Sequence, residues 1–136
     1  MSLHLLDTTI CLFLPSQREG FRRIVRPLDG LESEQVCISA VTVAELERGA
    51  AASQRQGDSF TRLERFLVEL EVLPFDRPPA RHYGPLRANL QARGKPIGST
   101  DCLLAAHALS TDATLVTNNA RELSRAPGLE VADWSA

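Results

Sequence analysis

Four carboxylates stand where this sequence could do chemistry: Asp7, Glu45, Asp101 and Glu122. Asp7 directly follows the apolar run 3–6, so it should lie at the carboxyl end of a strand. It could serve only as a helix cap there, and its neighbours Thr8 and Thr9 are natural capping or loop hydroxyls. Glu45 lies in Ser-Ala-Val-Thr-Val-Ala-Glu, on the helix face of Val41 and Thr42 by i,i+4 and i,i+3 spacing. Glu47 is rotated by about 200° from Glu45 and should face solvent. Asp101 falls in the first turn of the most apolar helical stretch, where negative charge suits the helix dipole. Glu122 comes just after Thr117-Asn118-Asn119, whose asparagines can build a turn. Each acid alone has an ordinary structural use. Brought together they would repel one another, and a bound cation would neutralise them. Oxygen-only donors without nearby His or Cys suit hard ions such as Mg2+ or Mn2+. Such ions bind phosphates and promote attack of water on a phosphodiester.

The elements that must position these acids alternate along the chain. Short apolar runs at 3–6, 36–39, 72–75, 114–117 and 129–132 read as strands. Helix-like stretches lie between them at 10–14, 20–28, 41–52, 59–70, 80–93 and 100–109. That alternation predicts an α/β fold of three layers, with a mainly parallel central sheet flanked by helices. Local signals support the boundaries. Asp76 precedes Arg77-Pro78-Pro79 and can open a helix, Gly94 can close it, and Pro96 prevents its continuation. Ser99 can cap the next helix, Pro127-Gly128 suits a turn, and Trp134 is expected to anchor the end of the chain. In open parallel sheets, ligands collect at the carboxyl ends of the strands, which is where these acids should gather.

Composition bounds the function classes. At 136 residues the chain is one domain's worth, and 43% apolar content can supply a core without disulfides or a structural metal. No apolar run reaches membrane-spanning length, and the first seven residues give no expectation of export, so a soluble cytoplasmic domain is expected. A net charge of −2 argues against a general nucleic-acid coating protein. The cations are almost all Arg, Lys95 being the one lysine. That bias fits either GC-rich coding or guanidinium forks for phosphate. Arg77, Arg81, Arg87, Arg93 and Lys95 follow one another with no intervening acid, and Arg18, Arg22, Arg23 and Arg26 form a second cluster. Cys11, Cys37 and Cys102 have neither disulfide nor zinc spacing and should be buried thiols. His4, His82 and His107 are poor catalytic candidates, and His107 reads as a core residue. The Phe13, Phe21, Phe60, Phe66 and Phe75 spacing suits a core or a dimer interface, and no aromatic platform for bases is visible.

The sequence resembles the PIN-domain proteins of the VapC toxin family along residues 3–134, in collinear order. The blocks are Leu-Leu-Asp-Thr-Thr at 5–9, Ile-Ser-Ala-Val-Thr-Val-Ala-Glu-Leu at 38–46 and Val-Leu-Pro-Phe-Asp at 72–76. Tyr-Gly-Pro-Leu-Arg-Ala at 83–88, Gly-Lys-Pro-Ile-Gly-Ser-Thr-Asp at 94–101 and Leu-Ala-Ala-His-Ala-Leu at 104–109 follow. Thr-Leu-Val-Thr-Asn-Asn-Ala-Arg-Glu-Leu at 114–123 and Pro-Gly-Leu-Glu-Val-Ala-Asp-Trp at 127–134 complete the set.

The resemblance implies a single Rossmann-like PIN domain over 1–136 and an acidic pocket for Mg2+ or Mn2+. It also implies endonucleolytic cleavage of RNA, transfer RNA being the substrate class this branch suggests. Asp7, Glu45 and Asp101 match the family's core acids. Glu122 matches the acid after the Thr-Asn-Asn block, while other branches carry Asp where Asn119 stands. Thr9 is a departure, since the family more often has Asn there, and altered metal affinity follows from it. Asp7 and Asp101 are then expected as primary ligands, with Glu45 ligating or placing the water and Glu122 completing the site or holding a second ion. Thr8, Thr117 and Asn119 are expected to support them. Arg87, Arg93, Lys95 and Arg121 are candidates for RNA binding, which would be salt-dependent. The family further implies a VapB-type antitoxin that can insert a cation into the pocket, a homodimer, and a larger complex with the antitoxin. Two competing readings are a phosphatase forming an aspartyl-phosphate and a non-catalytic binding module. The first wants a second Asp two residues after Asp7, where Thr9 stands.

Overall fold

The computed structural model describes residues 3–13, 36–68 and 70–133. The expected helix at 20–28, the Arg18–Arg26 cluster, Phe21 and the Trp134 anchor lie outside these residues. Strands β1 (His4–Leu6), β2 (Val36–Ser39), β3 (Glu71–Leu73), β4 (Thr114–Val116) and β5 (Val131–Ala132) form one parallel sheet in the order β3-β2-β1-β4-β5. In register, Leu5 of the central strand stands between Cys37 and Leu115, and Leu6 between Ile38 and Val116. Alternate side chains therefore enter opposite layers. Leu5, Cys37 and Leu115 join Leu90, Leu104 and Leu123 on one face. Leu6, Ile38 and Val116 join Ile10, Leu46 and Leu63 on the other. Both faces of the central strands β1, β2 and β4 are buried, so those strands read as apolar runs, whereas edge strand β3 is largely exposed.

The helices are α1 (Thr8–Phe13), α2 (Ala40–Ala52), α3 (Gln56–Val68), α4 (Arg77–Ala92), α5 (Ser99–Thr111) and the short α6 (Ala120–Leu123). The expected alternation holds, with three corrections. Strand β3 ends at Leu73, before the Pro74 that the 72–75 expectation included. Helix α5 is capped by Gly98 rather than Ser99, which is its first residue. Helix α6 had no expectation, because four residues are too few to display a period. Asp76 does stand at the N-cap of α4, but its side chain makes no capping bond.

Two junctions shape the surroundings of the acids. Helix α4 closes at Gly94, whose φ of +67° suits glycine. There Gly94 N–H donates to Gln91 O (3.1 Å) and Lys95 N–H to Leu90 O (2.9 Å), a double closure that turns the chain toward α5. Helix α2 is opened by Ser39, whose Oγ accepts the Val41 N–H at 3.0 Å. The same Oγ lies 2.7 Å from Nδ1 of buried His107 on α5. Ser39 Oγ, with one proton and two lone pairs, can accept the Val41 N–H and still pair with His107 Nδ1 in either tautomer. Burial lowers the His107 pKa, against the opposing charge of Asp76. This pair ties the start of the Glu45 helix to the Asp101 helix across the sheet end.

Candidate active site

The chain runs β1 to β2 to β3 on one side of the sheet and returns to β4 and β5 on the other. The reversal lies between β1 and β4, and the crevice beyond their carboxyl ends is where a ligand site is expected in such a sheet. Asp7 extends β1 at that point, its N–H bonded to Val116 O at 3.0 Å. Thr117, Asn118 and Asn119 leave β4 beside it.

Asp7 is only 3% exposed. Its Oδ1 accepts from the Ile10 N–H (2.9 Å) and lies 2.8 Å from Thr9 Oγ1. Burial pushes its carboxyl above the ordinary 3.8, although bonds from Thr117, Ile10 and Thr9 act to lower it. Thr9 Oγ1 also lies 2.8 Å from the Asn118 side-chain amide. A hydroxyl has one proton, and the ionised acceptor Asp7 takes it. Asn118 must then turn its NH2 toward Thr9, an assignment set by the bonding network. Thr9 thus supplies Asp7 with a donor at the position where the family more often has Asn.

Asp101 sits half-buried in the first turn of α5. Burial raises its carboxyl first, and the charges of Asp7 and then Glu122 raise it further, while the Asn119 amide opposes them. Asn119 Nδ2 reaches Asp101 Oδ2 at 3.4 Å and Glu122 Oε2 at 3.0 Å, and its own N–H is held by Thr117 Oγ1 at 2.9 Å. Asp7, Asp101 and Glu122 are therefore electrically coupled, with Asn119 between the last two.

Glu45 stands apart from that network. Its ionic contact is Arg48 Nη1 at 3.9 Å, with 83% of the Arg48 side chain exposed. Such exposed pairs contribute little, so Glu45 is only lightly held. Glu47 is half-buried rather than fully solvent-facing. Among the candidate RNA-binding cations, Arg87 is committed: it donates to the Tyr83 hydroxyl and lies 5.8 Å from the centre of that ring. Arg93, Lys95 and Arg121 are exposed. Lys95 lies in the 94–98 loop, which the acidic cluster touches at Gly98. The structure adds Asn118 and Gly98 to the surroundings of the acids, where the sequence signals only a turn and a helix start. Arg125, close to the pocket in sequence as Arg121 is, donates its guanidinium to Pro96 O at 3.1 Å. Open volume is no guide: a cleft of about 360 Å³ lined by Arg81, Leu86 and Leu109 contains no carboxylate.

Among the described residues, no three His, Cys, Asp or Glu side chains stand ready as a closed ligand set. The donor chemistry nevertheless fits a hard divalent cation. The donors are all oxygen, Asp7 and Asp101 are raised by burial with Asp101 further raised by neighbouring charge, and the buried Thr8 Oγ1 has no hydrogen-bond partner among the described residues. A cation would relieve the repulsion.

Fold and site together define a parallel α/β domain with an acidic, oxygen-donor centre at the switch point of its sheet. Comparison with known proteins agrees. The PIN domain model matches residues 4–129. The tRNA(fMet)-specific endonuclease VapC of Shigella flexneri is 39% identical over 131 residues, covering 96% of this chain and 97% of that protein. Ribonuclease VapC2 of Rickettsia felis is 33% identical over 133 residues, covering 97% and 98%. The crystal structure of DNA-bound VapBC from Salmonella typhimurium superposes with a TM-score of 0.89 at 37% identity, covering 98% of this chain and 99% of that one. FitAcB from Neisseria gonorrhoeae gives a TM-score of 0.86 at 32% identity, covering 97% and 98%. The chain belongs to the PIN-domain family, among its VapC members.

Proposed function

We propose that this protein is a Mg2+- or Mn2+-dependent endoribonuclease, the toxin of a VapBC-type pair, which hydrolyses RNA phosphodiester bonds and so inhibits translation. The observation that carries the reading is the meeting of Asp7 and Asp101 at the β1–β4 switch point, close enough for the charge of one to act on the other. Asp7 and Asp101 would hold the cation, with Glu45 as a further ligand or water-placing group and Glu122 beside Asp101. When bound, the cation supplies charge for the scissile phosphate and makes water a better nucleophile. Thr9 and Thr117 keep Asp7 oriented through their hydroxyls, Thr8 offers a buried oxygen with no partner among the described residues, and Asn119 steadies Asp101.

The acidic centre repels RNA, so cations around it must attract the backbone. Lys95, Arg93 and Arg121 are exposed enough to do so, Arg93 while donating to Asn89 Oδ1 at 3.3 Å, whereas Arg87 acts first as a brace for Tyr83. Transfer RNA as substrate rests on the named activity of the Shigella relative. A VapB-type antitoxin partner rests on the VapBC complexes among the solved relatives. A homodimer, a larger assembly with the antitoxin, and a cytoplasmic site of action belong to the same reading. Among the described residues, no helix is long and apolar enough to cross a membrane.

The test is cleavage of a transfer-RNA pool by purified, antitoxin-free protein with Mn2+, Mg2+ or chelator, beside Asp7→Asn. Cuts that need metal and vanish in Asp7→Asn are expected. Cleavage by Asp7→Asn at the wild-type rate would remove Asp7 from the mechanism. Folded protein that cuts with neither metal would instead be a binding module.

A further inference from the structure

Helix α5 has an unusual start. Gly98 is its N-cap, accepting the Cys102 N–H on its carbonyl at 2.8 Å, but it has no side chain with which to cap. Asp101 occupies the third helical position. From there an acidic side chain commonly turns back to accept the N-cap N–H, as in a capping box. Asp101 does not. The Gly98 N–H instead donates to Glu122 Oε1 at 3.4 Å, across from α6. The other oxygen of Glu122, Oε2, accepts from Asn119 Nδ2, the group that also reaches Asp101 Oδ2. Both oxygens of Glu122 are therefore engaged by donors that border Asp101. Arg125, just beyond α6, adds its bond to Pro96 O, so this segment clasps the 94–98 loop at two points.

We infer that Glu122 is a positioning residue, which takes the capping duty at Gly98 from Asp101 and leaves the Asp101 carboxylate free for the cation. The functional part of this inference rests on the nuclease reading, and the structural part does not. It gives the fourth acid a different role from that of the first three. Glu122 acts through Asp101, by fixing the start of the helix that carries it and by aligning the Asn119 amide. A neutral side chain with an acceptor oxygen can do much of this work, whereas a carboxylate that binds a cation has no good amide substitute.

Glu122→Gln and Glu122→Ala separate the two roles, with Mn2+ affinity measured by calorimetry and Gly98 amide exchange measured in metal-free protein. Positioning predicts that Glu122→Ala weakens Mn2+ binding about tenfold, the usual scale for losing a supporting partner. It should also speed Gly98 exchange about fivefold, as expected for loss of a cap. Glu122→Gln should keep Gly98 exchange within about threefold of wild type, because its carbonyl oxygen still accepts the Gly98 N–H, and should lose less Mn2+ affinity than Glu122→Ala, since only the bond from the Asn119 amide is given up. Equal loss of Mn2+ affinity in the two variants, with Gly98 exchange unchanged in both, would overturn the inference and make Glu122 a direct ligand. If the wild type bound no Mn2+, the nuclease reading would fall, and Gly98 exchange would still decide for or against the cap.

Discussion

Asp101→Asn should raise the stability of the metal-free protein and abolish its stabilisation by metal. In the folded chain the Asp101 carboxyl lies above 3.8 because of burial and then the charges of Asp7 and Glu122. The folded state therefore holds its proton to higher pH than the unfolded state does. The sign follows from linkage: stability is greatest below the unfolded value and falls as pH rises through the raised folded value. The buried Asp7 behaves in the same direction. At pH 8 in chelator the wild type carries the full penalty, and Asn at 101 removes its share while keeping an oxygen for the Asn119 amide. Negative charge at a helix start is worth about 0.3–1 kcal/mol in the opposite sense. Burial and the like charges of Asp7 and Glu122 oppose it, and the variant's stability reads out the balance. Metal reverses the order. At a free Mn2+ concentration about 100 times Kd, binding to the folded state alone adds about 2.7 kcal/mol. With an unfolding entropy of about 2.1 cal/mol/K per residue, the 136-residue wild type should gain about 9 °C in Tm. Asp101→Asn should gain almost nothing. Differential scanning calorimetry at pH 5 and pH 8, with chelator and with Mn2+, measures all four corners. A variant less stable than wild type in chelator at pH 8, or one that still gains about 9 °C with Mn2+, would refute the reasoning.

Substitutions at four other positions probe the site and the packing behind it. Thr9→Val removes the hydroxyl between Asp7 and Asn118 and should lower kcat/KM about tenfold at limiting Mn2+, with Thr9→Ser close to wild type; equal rates in Val and Ser variants would count against the relay. Lys95→Ala and Arg121→Ala should each weaken RNA binding across sequences and reduce the slope of log K against log salt by about 1, read by filter binding over a salt series. His107→Ala opens a cavity in the buried layer and strands the Ser39 hydroxyl, so urea unfolding should show a loss of about 2–4 kcal/mol; a loss below 1 kcal/mol would show that the Ser39–His107 tie is unimportant.

Much of this architecture was legible before any fold was known. The five strand runs and the longer described helices follow from local rules: apolar periodicity, Gly94 as a left-handed stop, and the dense apolar stretch of α5. The burial of the three free cysteines was equally readable. Helix α6 escaped because one turn has no period. The cap at Gly98 escaped because its partner is 24 residues away. The prediction of Ser99 as the cap used a rule about side chains, and the structure satisfies that helix start with a group from another element.

Residue type and local spacing mark the four acids, placed just after strands or at helix starts, as oxygen donors suited to a hard cation. Their separate electrostatic settings come from tertiary packing. The strand order β3-β2-β1-β4-β5 is a long-range pairing, and it alone brings the Asn118-Asn119 turn against both Asp7 and Asp101. It also joins Glu122 to Gly98, and the fold leaves Glu45 with Arg48. Four carboxylates of similar appearance in the sequence thus occupy different electrostatic settings. Burial, distance and donor supply are properties of the packed chain, and they are what distinguish one carboxylate from another.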